Sequence, residues 1–106
     1  MSAYFFFDVR HICDQQKLSE YRSQVFASVE RFDGRYRVLG GSLERLEGDC
    51  APNIPVLIEF PTADKARQWY ESERYQPLKA LRLEAAECRA VLLDGFEHTV
   101  AASQDE

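Results

Sequence analysis

Glu59 ends an apolar run, Ile54-Pro-Val-Leu-Ile-Glu-Phe60, and Trp69, Tyr70 and Tyr75 follow it closely. In an extended strand Val56, Ile58 and Phe60 share one face and Leu57 and Glu59 the other, so the carboxylate closes a face that is otherwise greasy. Apolar surroundings favour the neutral carboxyl, which suits a general base or a ligand anchor. Phenols from Tyr70 and Tyr75 and the Trp69 ring would complete a small pocket, with Arg37 on the neighbouring strand as the orienting charge. The same residues have a structural reading. Arg37 can pair with Glu59 across the strands and neutralise it, and Trp69 and Tyr70, at helical spacing from Ala66, can be ordinary core aromatics.

The remaining reactive side chains are scattered. His11 falls just past the first strand, where it can stand at a pocket mouth as a ligand contact or simply be solvated. His98 lies near the end, and neither histidine has a second metal ligand at a suitable spacing. Arg82 could meet an anionic ligand, but beside Glu84 and Glu87 it reads more simply as an exposed helix arginine. Cys13, Cys50 and Cys88 are an odd number without a CxxC, and nothing near them argues for nucleophilic catalysis. Glycine-rich phosphate loops and a GxSxG elbow are absent from the sequence. No metal or cofactor is expected.

These residues must be positioned by a short series of elements. Residues 3–9 form a strand with apolar side chains on both faces, Tyr4 and Phe6 on one side and Phe5, Phe7 and Val9 on the other. Leu18, Tyr21, Val25, Val29 and Phe32 recur at helical spacing over 16–33, and Asp33-Gly34 supplies the stop. A second strand starts at Arg35, bends at Gly40-Gly41 and resumes through 42–47, making a long hairpin with 54–60 in which Pro55 begins the return. Thr62 caps a short helix, Ser72 restarts the capping pattern, and Pro77 belongs in the first turn of another segment with Leu78, Leu81 and Ala85 inward. A last strand ends at Gly95.

The order strand, helix, strand, strand, broken helix, strand predicts an α+β, ferredoxin-like βαββαβ protomer with a four-stranded antiparallel sheet over 1–95 and a flexible tail at 96–106. The two crossover helices, the second of them broken in two, cover one sheet face. The other would expose side chains from among Tyr4, Phe6, Val56, Ile58, Val91 and Leu93, or their alternates, which predicts a homodimer packed sheet to sheet. A monomer with a partly polar open face is the alternative.

A chain of 106 residues suits one such domain. Its net charge of -5 repels phosphate backbones and argues against nucleic acid. The absence of a long apolar run argues against a membrane partner, and with the unpaired cysteines it predicts a cytoplasmic protein.

The segments RVLGGSLERLEGD, VLIEFPTADKARQWYESERYQPLKALR and AVLLDG resemble the bacterial family catalogued as domain of unknown function 1330, in the dimeric α+β barrel superfamily. The shared features are Gly40-Gly41, Leu46-Glu47-Gly48, Glu59-Phe60-Pro61, Trp69-Tyr70 and Tyr75, and the likeness spans residues 3–95. Where members usually read Ser-Pro-Glu-Tyr, this chain has Ser72-Glu73-Arg74-Tyr75, which alters only the local geometry. The resemblance implies two ferredoxin-like sheets associating into a barrel. Related branches include cofactor-free monooxygenases, lactone isomerases and haem enzymes, so it does not choose a reaction. The expectation is a homodimer that holds a small organic ligand, and acts on it without a cofactor if it is an enzyme of isomerase or monooxygenase type. Its alternative is a noncatalytic dimerisation or binding module.

Overall fold

A computed structural model describes residues 1–98. In chain order it contains β1 (Ala3–Ile12), α1 (Gln15–Glu30), β2 (Arg35–Leu39), β3 (Pro55–Phe60), α2 (Ala63–Glu71), α3 (Tyr75–Ala85) and β4 (Ala86–Asp94). The sheet is antiparallel throughout, in the order β2-β3-β1-β4, which is the ferredoxin-like arrangement. Most of the tail expected from residue 96 lies outside the described residues.

β1 runs through the middle of the sheet, and its alternation sorts everything around it. Phe5, Phe7 and Val9 are buried beneath the helices, while Tyr4 and Phe6 on the opposite face are half-buried. Ile58 stands directly across from Phe5, and Leu57 across from Phe6. Directly opposed residues share a face. Val56 and Ile58 therefore belong under the helices, and the open face carries Leu57 in their place, together with Tyr4, Phe6, Val38, Val91 and Leu93. This corrects the expected grouping of Val56 and Ile58 with Tyr4. Val91 and Leu93 remain about half exposed, at 50% and 48%.

The helices start and stop where local chemistry directs. Asp14 accepts from the Lys17 amide to cap α1, and Thr62 accepts from the Lys65 amide to cap α2. α1 ends before Phe32, and Asp33 takes the left-handed conformation at φ 65°. Gly34 follows because a Cβ there would lie 2.6 Å from side-chain atoms of Phe60 and Val29. Between α2 and α3, Ser72 is extended, and its hydroxyl both donates to the Trp69 carbonyl and accepts from the Tyr75 amide. The break expected in the second helix is thus present. Pro77 falls in the first turn of α3, where its missing N–H has no intrahelical acceptor to lose.

β2 departs from expectation. It ends at Leu39 and does not resume through 42–47, because Gly40 and Gly41 take positive φ of 66° and 85° and turn the chain out of the sheet. The register irregularity lies earlier, between Tyr36 and Val38, so Arg37 is the extra residue.

The chain returns to the sheet through Asp8. One Asp8 carboxylate oxygen accepts from the amides of Asn53 at 2.8 Å and Ile54 at 3.2 Å, and the other pairs with Arg10 at 2.8 Å. Burial opposes the charge, yet Arg10 and the two amides more than offset it, and the carboxyl titrates below its ordinary value. A depressed carboxyl contributes stability above its unfolded pKa, and that stability is lost as pH falls through the folded value. The stability of wild type over Asp8→Asn, measured by urea denaturation, should be full at neutral pH and shrink below about pH 4. A difference independent of pH would show that Asp8 acts without its charge.

Candidate functional site

A cavity of about 270 Å³ lies between α1 and the helix-covered face of the sheet. Phe7 and Val9 of β1, Val25 of α1 and Ile58 of β3 give it an apolar wall. Leu39, Gly40 and Ile54 border it where β2 leaves the sheet, so the glycine turn and the Asp8 anchor shape its edge. The polar groups in the wall are Tyr21, Tyr36, Arg22, Arg82 and Cys88.

Arg82 is the unusual member, with only 5% of its surface exposed. None of the ion pairs among the described residues includes it. Its Nε donates to the Tyr75 hydroxyl at 3.3 Å, and that hydroxyl lies 3.0 Å from the hydroxyl of Tyr21. The guanidinium carbon sits 5.2 Å from the centre of the Phe7 ring, a cation–π distance. Burial works against the cation, but the Tyr75 phenol counters it and the pKa stays above its ordinary value. Burial also pushes the Tyr21, Tyr36 and Tyr75 phenols upward. At neutral pH the cavity therefore combines a fixed positive charge with neutral phenols. Such a set can hold or stabilise an anion.

The residues singled out by sequence are not gathered in this cavity. Glu59 lies on the opposite sheet face from Trp69, Tyr70 and Tyr75, because it is paired across from Tyr4. The Ser2 hydroxyl and the Arg37 guanidinium, whose Nε is 2.7 Å from Glu59 Oε1, hold its carboxyl below the ordinary range. The expectation of a neutral carboxyl in an aromatic pocket is corrected accordingly. Arg37 and Glu59 do form the cross-strand pair. Trp69 is fully buried, 4.2 Å from the Tyr75 ring centre, with its indole N–H donated to Ser28 at 3.1 Å. Tyr70 is half-buried, stacks on Phe5 at 5.3 Å and lies beneath Lys79. His11 is exposed within the prolonged β1, opposite Glu87, and does not line the cavity.

Tyr75 is the exception, since its hydroxyl supports Arg82 from behind the cavity wall. The arginine itself was legible in a pattern that its charge obscured. Tyr75, Leu78, Arg82 and Ala85 fall on one helical stripe, and all four are buried. Reading Arg82 as exposed because glutamates are near it in sequence ignored that stripe.

A family profile described as Domain of unknown function (DUF1330) matches residues 2–96. No curated protein matches the sequence. Among solved structures, the chain is similar to RPA0582 from Rhodopseudomonas palustris, a protein of unknown function, at 16% identity and a TM-score of 0.70, covering 92% of this chain and 84% of that one. It is also similar to SnoaB, a cofactor-independent oxygenase from Streptomyces nogalater, at 13% identity and a TM-score of 0.62, covering 97% and 98%. A dimeric protein of unknown function and ferredoxin-like fold from Bacteroides fragilis aligns at 13% identity and a TM-score of 0.51, covering 89% and 96%. At these identities the likeness is one of fold.

Two of the tyrosines should separate in a stability measurement. Tyr75→Phe strips Arg82 and Tyr21 of a buried partner and should cost about 1–3 kcal/mol in urea denaturation. Tyr70→Phe keeps the ring contacts and should stay within about 0.5 kcal/mol of wild type. Equal effects would mean that the Tyr75 hydroxyl does not support the arginine.

Proposed function

The chain belongs to the family described as domain of unknown function 1330, and from that premise we propose that it is a homodimer binding a small organic molecule in the cavity between α1 and the sheet. The observation that carries the reading is a largely apolar cavity onto which a few buried polar groups converge. A pocket of that composition is the usual form of a small-molecule site. Tyr75 acts in this reading as a positioning residue for Arg82 and Tyr21. Trp69 and Tyr70 pack behind it, and His11 has no part in it.

Dimerisation accounts for the second face of the sheet. Tyr4, Phe6, Leu57, Val91 and Leu93 form an apolar surface that none of the described helices covers, and a second copy of the same surface is its simplest partner. The Bacteroides neighbour is described as dimeric, which supports the assignment. In such a dimer the Arg37–Glu59 pair would lie beside the association surface and fix its register.

Binding is favoured over catalysis by the kinds of group in the wall. The described lining residues include arginines, tyrosines and a cysteine but neither a carboxylate nor a histidine. Proton abstraction needs a base within reach. Oxygenation of the kind named for SnoaB would therefore require a substrate that arrives already ionised.

The test is a thermal-shift screen of aromatic acids, lactones and quinones, repeated on Leu39→Trp, which narrows the cavity at an exposed edge position. A true ligand at a hundred times its dissociation constant should add roughly 2.7 kcal/mol to wild-type stability, and the variant should lose most of that gain. Sedimentation should give twice the 12.3 kDa chain mass, falling toward the monomer for Val91→Asp. Absence of any shift across the screen would contradict ligand binding, and a monomeric wild type would contradict the assembly.

A further inference from the structure

Arg82 carries a charge that no carboxylate among the described residues neutralises. Buried arginines are normally paired, because the cost of removing a cation from water is otherwise several kcal/mol even after relaxation. Here the compensation is partial: one hydrogen bond from Nε to Tyr75, the face of Phe7 and the weakly accepting Cys88 thiol. By geometry Nε is the one Arg82 donor in a well-formed hydrogen bond to a described residue, and the only other polar side chain that meets the guanidinium is the Cys88 thiol, a weak acceptor. Yet no side-chain nitrogen or oxygen among the described residues is both sealed from solvent and unpartnered. The terminal nitrogens therefore retain access to solvent, and Arg82 forms part of the cavity wall.

The tyrosines extend the same polarity. The Tyr75 oxygen accepts from Arg82 and lies 3.0 Å from the Tyr21 hydroxyl, either of the two phenols serving as donor to the other, and Tyr21 itself lines the cavity. The wall thus presents a guanidinium fork beside a phenol hydroxyl in a largely apolar chamber. Arg22 adds a second cation at its exposed side. Its volume of about 270 Å³ sits at the small end of ligand sites, which span about 300–1,000 Å³.

Resting on the reading that this cavity binds a ligand, we infer that the ligand is a small carboxylic acid with an apolar body, its carboxylate seated on the terminal nitrogens of Arg82. A planar guanidinium matches a carboxylate with two parallel hydrogen bonds. Phosphate would leave oxygens facing Val9, Val25 and Ile58, where no donor meets them. A neutral molecule of the same shape would leave the buried cation as it stands. The anion supplies the missing countercharge, and the apolar wall takes the rest of the molecule.

Titration calorimetry on the full chain with benzoate, para-toluate and naphthoate, each beside its matching amide, tests this directly. At least one acid should bind, about tenfold or more tighter than its amide. Chemical-shift changes should map to Val25, Ile58 and Arg82. Arg82→Met should bring the acid down to the affinity of the amide and leave the amide unchanged. Equal binding of acid and amide to wild type overturns the carboxylate assignment alone, while leaving the cavity as a binding site. An acid preference that survives in Arg82→Met also overturns it. Failure of every acid and amide to perturb cavity residues overturns the binding reading together with the inference. The wild-type comparison of acid with amide decides the matter even if Arg82→Met does not fold.

Discussion

A guanidinium held in the interior by phenols and an aromatic face, with no carboxylate among the described residues paired to it, is the interaction around which the helix layer is arranged. Arg82 draws on α3 for Tyr75, on α1 for Tyr21 behind that phenol, and on β1 for the Phe7 ring. Tyr75 can serve because the chain breaks after α2. Ser72 turns extended and α3 begins at Tyr75, two helical turns ahead of Arg82 and on the same stripe. An unbroken helix from Ala63 onward would phase these side chains differently. The break, which leaves its amides capped by Ser72, is thus a device for placing one hydroxyl.

The alternation of β1 governs the rest. Phe5, Phe7 and Val9 turn toward the helices and meet Trp69, Tyr70 and Arg82, whereas Tyr4 and Phe6 turn away. A central strand that is apolar on both sides commits the sheet to cover on both sides. The helices provide one cover. The Arg37–Glu59 pair belongs to the other face, so the charged groups of the two faces have separate work: one pair is mutually satisfied at the surface, and one cation is left inside for something else to satisfy.

Much of this could be read from sequence. Leu18, Tyr21, Val25 and Val29 announced α1 by spacing alone, and all four are buried. Thr62, Ser72 and Pro77 marked the broken helix, because capping and the lost proline N–H are local effects. Glu59 and Arg37 were correctly matched as a pair. What escaped was whatever depends on pairing across the fold. The register of β3 against β1, which puts Glu59 on the far side from Trp69, is set by distant partners and is not visible within either strand. The glycines at 40 and 41 looked like a bulge, but two successive left-handed residues end the strand. Arg82 escaped because an arginine is ordinarily a surface residue, and its stripe was overruled by its charge.

The most direct measurement of the account is the side-chain NMR spectrum of Arg82 in the full chain, recorded with and without para-toluate. The account predicts that the terminal guanidinium groups of Arg82 shift and lose rotational freedom when the acid is added, while those of Arg37, already joined to Glu59 on the other face, stay as they were. If Arg82 behaved in both spectra like a solvated surface arginine, an interior cation awaiting an anion would be contradicted.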